Sequence, residues 1–109
     1  MNRVEALEQI ITFGGFREEA FGELVNFAFD CEVELFEVNN DILEVVLKKY
    51  LSNFISSDEL EEWANFIECR DDVNYAKVEG FIYALANPEL MGKITDNKIY
   101  KMLEVLSAS

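Results

Sequence analysis

Ser56-Ser57-Asp58-Glu59, ahead of Leu60, Trp63, Ala64, Phe66 and Ile67, is the stretch that leaves this chain the least freedom. A serine three residues before a glutamate lets each side chain satisfy the other's backbone N–H, which gives a helix a defined start. The apolar residues that follow recur at helical spacing and so share one face. The same spacing returns along most of the chain. Val4, Leu7, Ile10 and Ile11 form the inner face of a first short helix, which Gly14-Gly15 is expected to stop. From Arg17 to about Phe29, the residues Ala20, Phe21, Leu24, Val25, Phe27 and Ala28 keep helical spacing, with Glu18, Glu19 and Glu23 on the other side. Glu18 and Glu19, in the first turn, also suit the positive end of the helix dipole.

Asn39-Asn40-Asp41 supplies a cap for a third helix with Ile42, Leu43, Val46, Leu47, Tyr50 and Leu51 inward, ending near Phe54. Glu44 and Lys48 stand one turn apart on it. Beyond the break at Asp71-Asp72-Val73-Asn74, a further face is made by Tyr75, Val78, Phe81, Ile82 and Leu85. Pro88 disfavours helix at Asn87 and marks its end. Thr95 caps a last helix with Ile99, Met102, Leu103 and Leu106 inward, and Ser107 to Ser109 are expected to fray. One segment departs from this period. Between Cys31 and Val38, Val33 and Leu35 alternate with Glu32, Glu34 and Glu37, a period of two that suggests a short extended piece. These readings sum to a mainly α protein, a compact bundle of five to six helices with one short extended segment near 31–38. With 109 residues, 50% of them apolar, one core and a single domain over 1–109 are expected.

Charge narrows the function. Twenty-two acidic residues against nine basic ones, with no histidine, give a net charge of -13, beyond what solubility asks of a small domain. Such a field repels nucleic acid and anionic lipid and attracts basic protein surfaces. The carboxylates are also unevenly distributed. From Glu18 to Cys69 there are fourteen acidic residues and two basic ones, Lys48 and Lys49, whereas Leu90 to Ser109 holds Lys93, Lys98 and Lys101 against Asp96 and Glu104. If the second helix, the segment from Asp30 to Glu37 and the helix start from Asp58 to Glu62 lie side by side, they form one acidic patch. Carboxylates so gathered can meet the Arg and Lys groups that otherwise hold phosphates. The partner-binding candidates are therefore Glu18, Glu19, Glu23, Glu32, Glu34 and Glu37, followed by Asp58, Glu61 and Glu62. Trp63, Phe66, Tyr75 and Tyr83 are candidate aromatic anchors, with Trp63 placed first in the core.

Little in the sequence suggests catalysis. The absence of histidine removes the commonest general base and most transition-metal ligation. A pair of catalytic carboxylates would need a cleft, for which a bundle of this length has little volume. Asp71-Asp72-Val73-Asn74 lacks the glycine and the closing glutamate of a calcium loop, so a capped turn or a buried ion pair with Arg70 is expected there. Cys31 and Cys69 stand apart, without a C-x-x-C pair, and are expected to be buried thiols. No enzyme activity, cofactor or metal is expected. Glu5 and Glu8 interrupt what would be the apolar region of a signal peptide, and the longest apolar run, Phe81 to Ala86, is far short of the roughly 20 residues that span a bilayer. A cytoplasmic protein without a membrane segment is expected, monomeric when free.

Asp58-Glu59-Leu60-Glu61-Glu62-Trp63-Ala64-Asn65, then Glu68-Cys69-Arg70-Asp71-Asp72 and Ala84-Leu85-Ala86-Asn87-Pro88-Glu89-Leu90, resembles a family of small bacterial proteins. Some of its members are immunity proteins of contact-dependent growth inhibition and related polymorphic toxin systems. Phe27-Ala28-Phe29-Asp30 fits the same pattern, so the likeness covers residues 25 to 105. The resemblance implies stoichiometric binding to the toxin domain of the same system, commonly over or beside the active site of a nuclease. It assigns Trp63, Arg70, Asp72, Asn87 and Pro88 to folding. A nuclease has to attract phosphate, so its working face is basic, and an inhibitor of charge -13 would be steered to it. The alternative is an acidic adaptor or regulator, or a nucleic-acid mimic, that docks on another basic protein.

Overall fold

Asn2 starts helix α1 (Arg3–Ile11) through a capping box: its Oδ1 accepts from the Glu5 N–H at 2.8 Å and its own N–H donates to Glu5 Oε1 at 3.2 Å. Ala6, Leu7, Ile10 and Ile11 are buried, whereas Val4, expected inward, is exposed. The helix stops at Thr12, and the reversal runs through Phe13, which takes a left-handed φ of 54°. Gly14 matters for a different reason. The Gln9 side chain curls back to accept from the Phe16 N–H at 3.0 Å, and a Cβ on Gly14 would run into that amide.

The computed structural model describes residues 1–27 and 34–108, and within them it has seven α-helices and two short strands. Helix α2 (Arg17–Leu24) is shorter than the stretch expected to reach about Phe29. Its last turns tighten to i→i−3 bonds, Asn26 N–H to Glu23 and Phe27 N–H to Leu24, both 3.1 Å. Only Ala20 and Leu24 of its apolar set are buried. Helix α3 (Asn40–Leu51) is capped by Asn39, whose Oδ1 accepts from the Ile42 N–H at 2.9 Å, and buries Leu43, Val46 and Leu47. It ends three residues before Phe54, because the chain turns through Asn53 at φ 63° and leaves Phe54 exposed. Helix α4 (Ser57–Glu68) begins at the expected capping box, Ser56 with Glu59, at 3.0 and 3.1 Å.

The extended segment is real where described but shorter than expected: strand β1 is Phe36–Glu37. Its partner was not anticipated. Within the break at Asp71 to Asn74, where a capped turn or an ion pair with Arg70 is expected, strand β2 (Val73–Asn74) pairs with β1 in parallel, Phe36 opposite Val73 and Glu37 opposite Asn74. Parallel strands need a long crossover, and here α3 and α4 provide it. Residues 28–33, including Ala28, Phe29, Asp30, Cys31, Glu32 and Val33, lie outside the described residues.

After β2 a 3-10 turn (Ala76–Val78) leads into α5 (Glu79–Ala86). Asn87 leaves helical geometry at φ -128° and ψ 61°, as a residue before proline tends to do. Pro88 then occupies the first position of one more turn, α6 (Pro88–Met91), where its missing N–H costs nothing. That four-residue turn is what takes the helix number past six. Thr95 caps α7 (Asp96–Ala108), its Oγ1 accepting from the Lys98 N–H at 3.2 Å. The helix persists through Ser107 rather than fraying, with Ser107 Oγ donating to the Leu103 carbonyl at 3.0 Å.

Trp63 sits at the centre. It is fully buried, and its Nε1–H donates to the Ile11 carbonyl at 2.9 Å, which fastens α4 over the end of α1. Helix α1 packs on α2, α4 on α5, and α3 on α7. A radius of gyration of 13.7 Å is close to the ~13 Å of a single globule this long. No helix among the described residues is long and apolar enough to cross a membrane.

Candidate functional site

Helices α2 and α4 approach each other through side chains rather than backbone. The rings of Phe21 and Phe66 meet edge to face, 5.8 Å between centroids. Beside them opens a groove of about 630 Å³ lined by Phe21, Leu24, Val25 and Phe27 from one side and Glu62, Asn65, Phe66, Cys69 and Arg70 from the other. Val25, just past the end of α2, is 82% exposed and Phe21, within it, 40%. Ala20 and Leu24 take the inward positions of α2, whereas Phe21 turns toward Phe66 of α4 and Val25 stands just past the helix end.

Two arginines brace this groove from within. Arg17 donates from Nε to the Ile10 carbonyl at 3.0 Å and lies over the rings of Phe13 and Phe21, 4.3 and 5.0 Å from their centroids. Burial pulls its basicity below the ordinary value, while the nearby carboxylates of Glu59 and Glu62 act in the other direction. Arg70 holds Asp72 in a fork, Nε to Oδ1 at 2.9 Å and Nη2 to Oδ2 at 2.7 Å, and covers the Phe66 ring at 5.5 Å. Arg3, from α1, reaches the same Oδ2 at 2.8 Å and lies 5.9 Å from the Phe27 centroid. Asp72 is fully buried. Burial works to raise its carboxyl pKa, but hydrogen bonds from Arg70 and Arg3 and their charges prevail and hold it below the ordinary carboxylate value. The ion pair expected between Arg70 and this segment is thus present, with Arg3 as a third member.

Successive helix residues turn by about 100°, which places the candidate carboxylates. Glu18 is exposed in the first turn of α2, and Glu62 lines the groove directly. Glu19 and Glu23 fall on the far side of α2. Asp58 and Glu61 flank a separate hollow with Pro88, Lys93 and Ile94. Glu34 is exposed where the chain enters β1, and Glu37 pairs at 3.0 Å with Lys77, next to β2. Glu32 lies outside the described residues. Of the candidate carboxylates, Glu62 stands in the wall of the groove, and the other described candidates, Glu18 among them, lie outside that lining. Even so, α2 and α4 jointly carry Glu18, Glu19, Glu23, Asp58, Glu59, Glu61, Glu62 and Glu68 against the lone cation Arg17. Helices α3 and α7 carry Asp41, Glu44, Asp96 and Glu104 against Lys48, Lys49, Lys98 and Lys101, an even balance.

The apolar groove itself escaped sequence reading. Its signal was an excess of apolar residues, Phe21, Val25 and Phe27, in a segment flanked by glutamates. Cys69 corrects an expectation: it is exposed, because it caps α4 on the outer face shared with Glu62 and Asn65. Of the candidate anchors, Trp63 is core, Phe66 belongs to the groove, and Tyr75 and Tyr83 border another hollow with Glu68 and Glu79. Among the described residues no cluster of three potential ligands could hold a metal. No protein-family model matches this chain, and no curated protein or solved structure matches it.

Proposed function

We propose that this chain is a non-enzymatic binding domain that docks its α2–α4 face on a basic protein surface. The partner is the toxin domain of its own toxin–immunity pair, a nuclease whose phosphate-binding face the carboxylates neutralise. The supporting observation is the collection of eight carboxylates against Arg17 on two neighbouring helices, beside a helix pair of balanced charge. Long-range attraction would bring the two proteins together quickly, and shape would select the partner. The sequence resemblance in residues 58–72 and 84–90 supplies the toxin class, and the cytoplasm of the producing cell is where such a complex would form.

Co-expression with the product of the adjacent upstream gene tests this reading. Cells making both proteins are expected to grow, and the purified pair to form a one-to-one complex whose affinity falls steeply with sodium chloride. Glu18→Lys combined with Glu62→Lys should weaken binding at least tenfold, and Glu44→Lys with Glu104→Lys less than threefold. Unprotected cells would end the toxin assignment. Equal loss from both variants would end the assignment of the face, and a complex with a different basic protein would favour an adaptor.

A further inference from the structure

The acidic helices also enclose an apolar slot, and charge alone gives no use for it. We infer that the groove between α2 and α4 receives an amphipathic helix of the partner, with an apolar stripe seated on Phe21, Val25 and Phe66 and flanking lysines or arginines meeting Glu18 and Glu62. This rests on the binding function proposed above and adds the form of the partner's contact.

Three observations lead to it. First, the groove's lining is mainly hydrocarbon and aromatic, and Val25 stands 82% exposed at its edge. A slot between two helices with apolar walls suits the i, i+3, i+4, i+7 side chains of a third helix. Second, the cations at the groove are already used. Arg70 is forked onto Asp72, and Arg17 is held on the Ile10 carbonyl against two rings. The carboxylates are not so used: among the described residues no salt bridge engages Glu62 in the groove wall or Glu18 in the first turn of α2, although Glu62 is within electrostatic reach of Arg17. A guest that brings its own cations therefore gains most. Third, the walls are stiffened, since each of the aromatics Phe21, Phe27 and Phe66 lies under an arginine fixed by hydrogen bonds. A preformed slot loses little freedom when it is filled.

The test uses the full chain and a fluorescein-labelled 18-residue helical peptide with a leucine and phenylalanine stripe flanked by lysines. Two controls accompany it: a scramble of the same composition, and the striped peptide with glutamate for lysine. The striped basic peptide is expected to bind at least tenfold more tightly than either control. Val25→Lys, at a solvent-exposed position, should weaken it about tenfold without changing the melting temperature. Occupancy should also slow alkylation of Cys69, read by peptide mapping, because that thiol lines the slot. Equal binding of the scramble would overturn the inference and leave the acidic-face function standing, since charge alone would then suffice. Equal binding of the glutamate peptide would remove the role of Glu18 and Glu62 and count against both. A concentration-dependent dimer of the free chain, abolished by Val25→Lys, would overturn the inference by assigning the slot to a second copy.

Discussion

Helices α2 and α3 each carry two charged residues one turn apart, and the two pairs are opposite in character. On α3, Glu44 and Lys48 meet at 2.9 Å. On α2, the corresponding spacing holds Glu19 and Glu23, two carboxylates that repel. The same contrast extends to α4, where Asp58 and Glu62 repeat the like-charge spacing, and to α7, whose acids and lysines balance. A matched surface costs a fold nothing, whereas an unmatched one gives up some stability. The difference teaches where in this molecule charge is arranged for folding and where it is left for something outside. A third arrangement lies inside: Asp72, buried and fully paired.

The inner arrangement gives the largest expected effect. Asp72→Asn leaves Arg3 and Arg70, both mostly buried, without their counter-charge, and should cost about 3 kcal/mol. The sign of its pH dependence is fixed. The folded carboxyl titrates below its ordinary value, so its contribution is complete above that value and is lost as pH falls through the folded one. Urea midpoints of the parent protein should therefore drop as pH falls below about 4, and those of Asp72→Asn should drop less. Parallel curves would mean that the internal charge is no more consequential than the outer charges.

Next in size is the support beneath the acidic face. Trp63→Phe keeps an aromatic ring but leaves the buried Ile11 carbonyl without its donor, a loss of about 2 kcal/mol. Hydrogen exchange should quicken first along α1 and α4 and later, if at all, along α3 and α7. Uniform loss of protection would show that the two helix pairs share one cooperative unit and are not separable in the way their charges suggest.

How much of this was open to sequence reading depended on the range of the forces involved. The α4 start was legible because Ser56 and Glu59 form a cap from four neighbouring residues, and Trp63, Ile67 and Leu60 fell inward because period fixes face. Asn39, Thr95 and Pro88 were equally local. Strand β2 was not legible: two residues pair with a segment 37 positions away, and nothing local requires it. The Arg3 arm of the Asp72 triad was hidden for the same reason, with 69 positions between partners, while Arg70, two residues away, was visible. The candidate carboxylates illustrate both cases. Their clustering in sequence was plain, but the division between Glu62 in the groove wall, Asp58 and Glu61 at a separate hollow, and Glu37 spent on Lys77 required the packing.

The smallest expected effect is the most direct test of the opening contrast, because it uses the same spacing twice. Glu23→Lys converts the repelling pair on α2 into an attractive one with glutamate on the N-terminal side, the better orientation, and places a cation in the last turn, where the helix dipole favours it. It should stabilise the protein by about 0.5 kcal/mol, a rise of roughly 2 to 4 °C in melting temperature. Lys48→Glu performs the reverse operation on α3 and should lower it by a similar amount. Both shifts should shrink as sodium chloride is raised toward 1 M, where the Debye length falls to about 3 Å. If Glu23→Lys instead destabilises the free protein, the carboxylates of α2 are already matched within the fold, and the surplus charge is not being held for a partner.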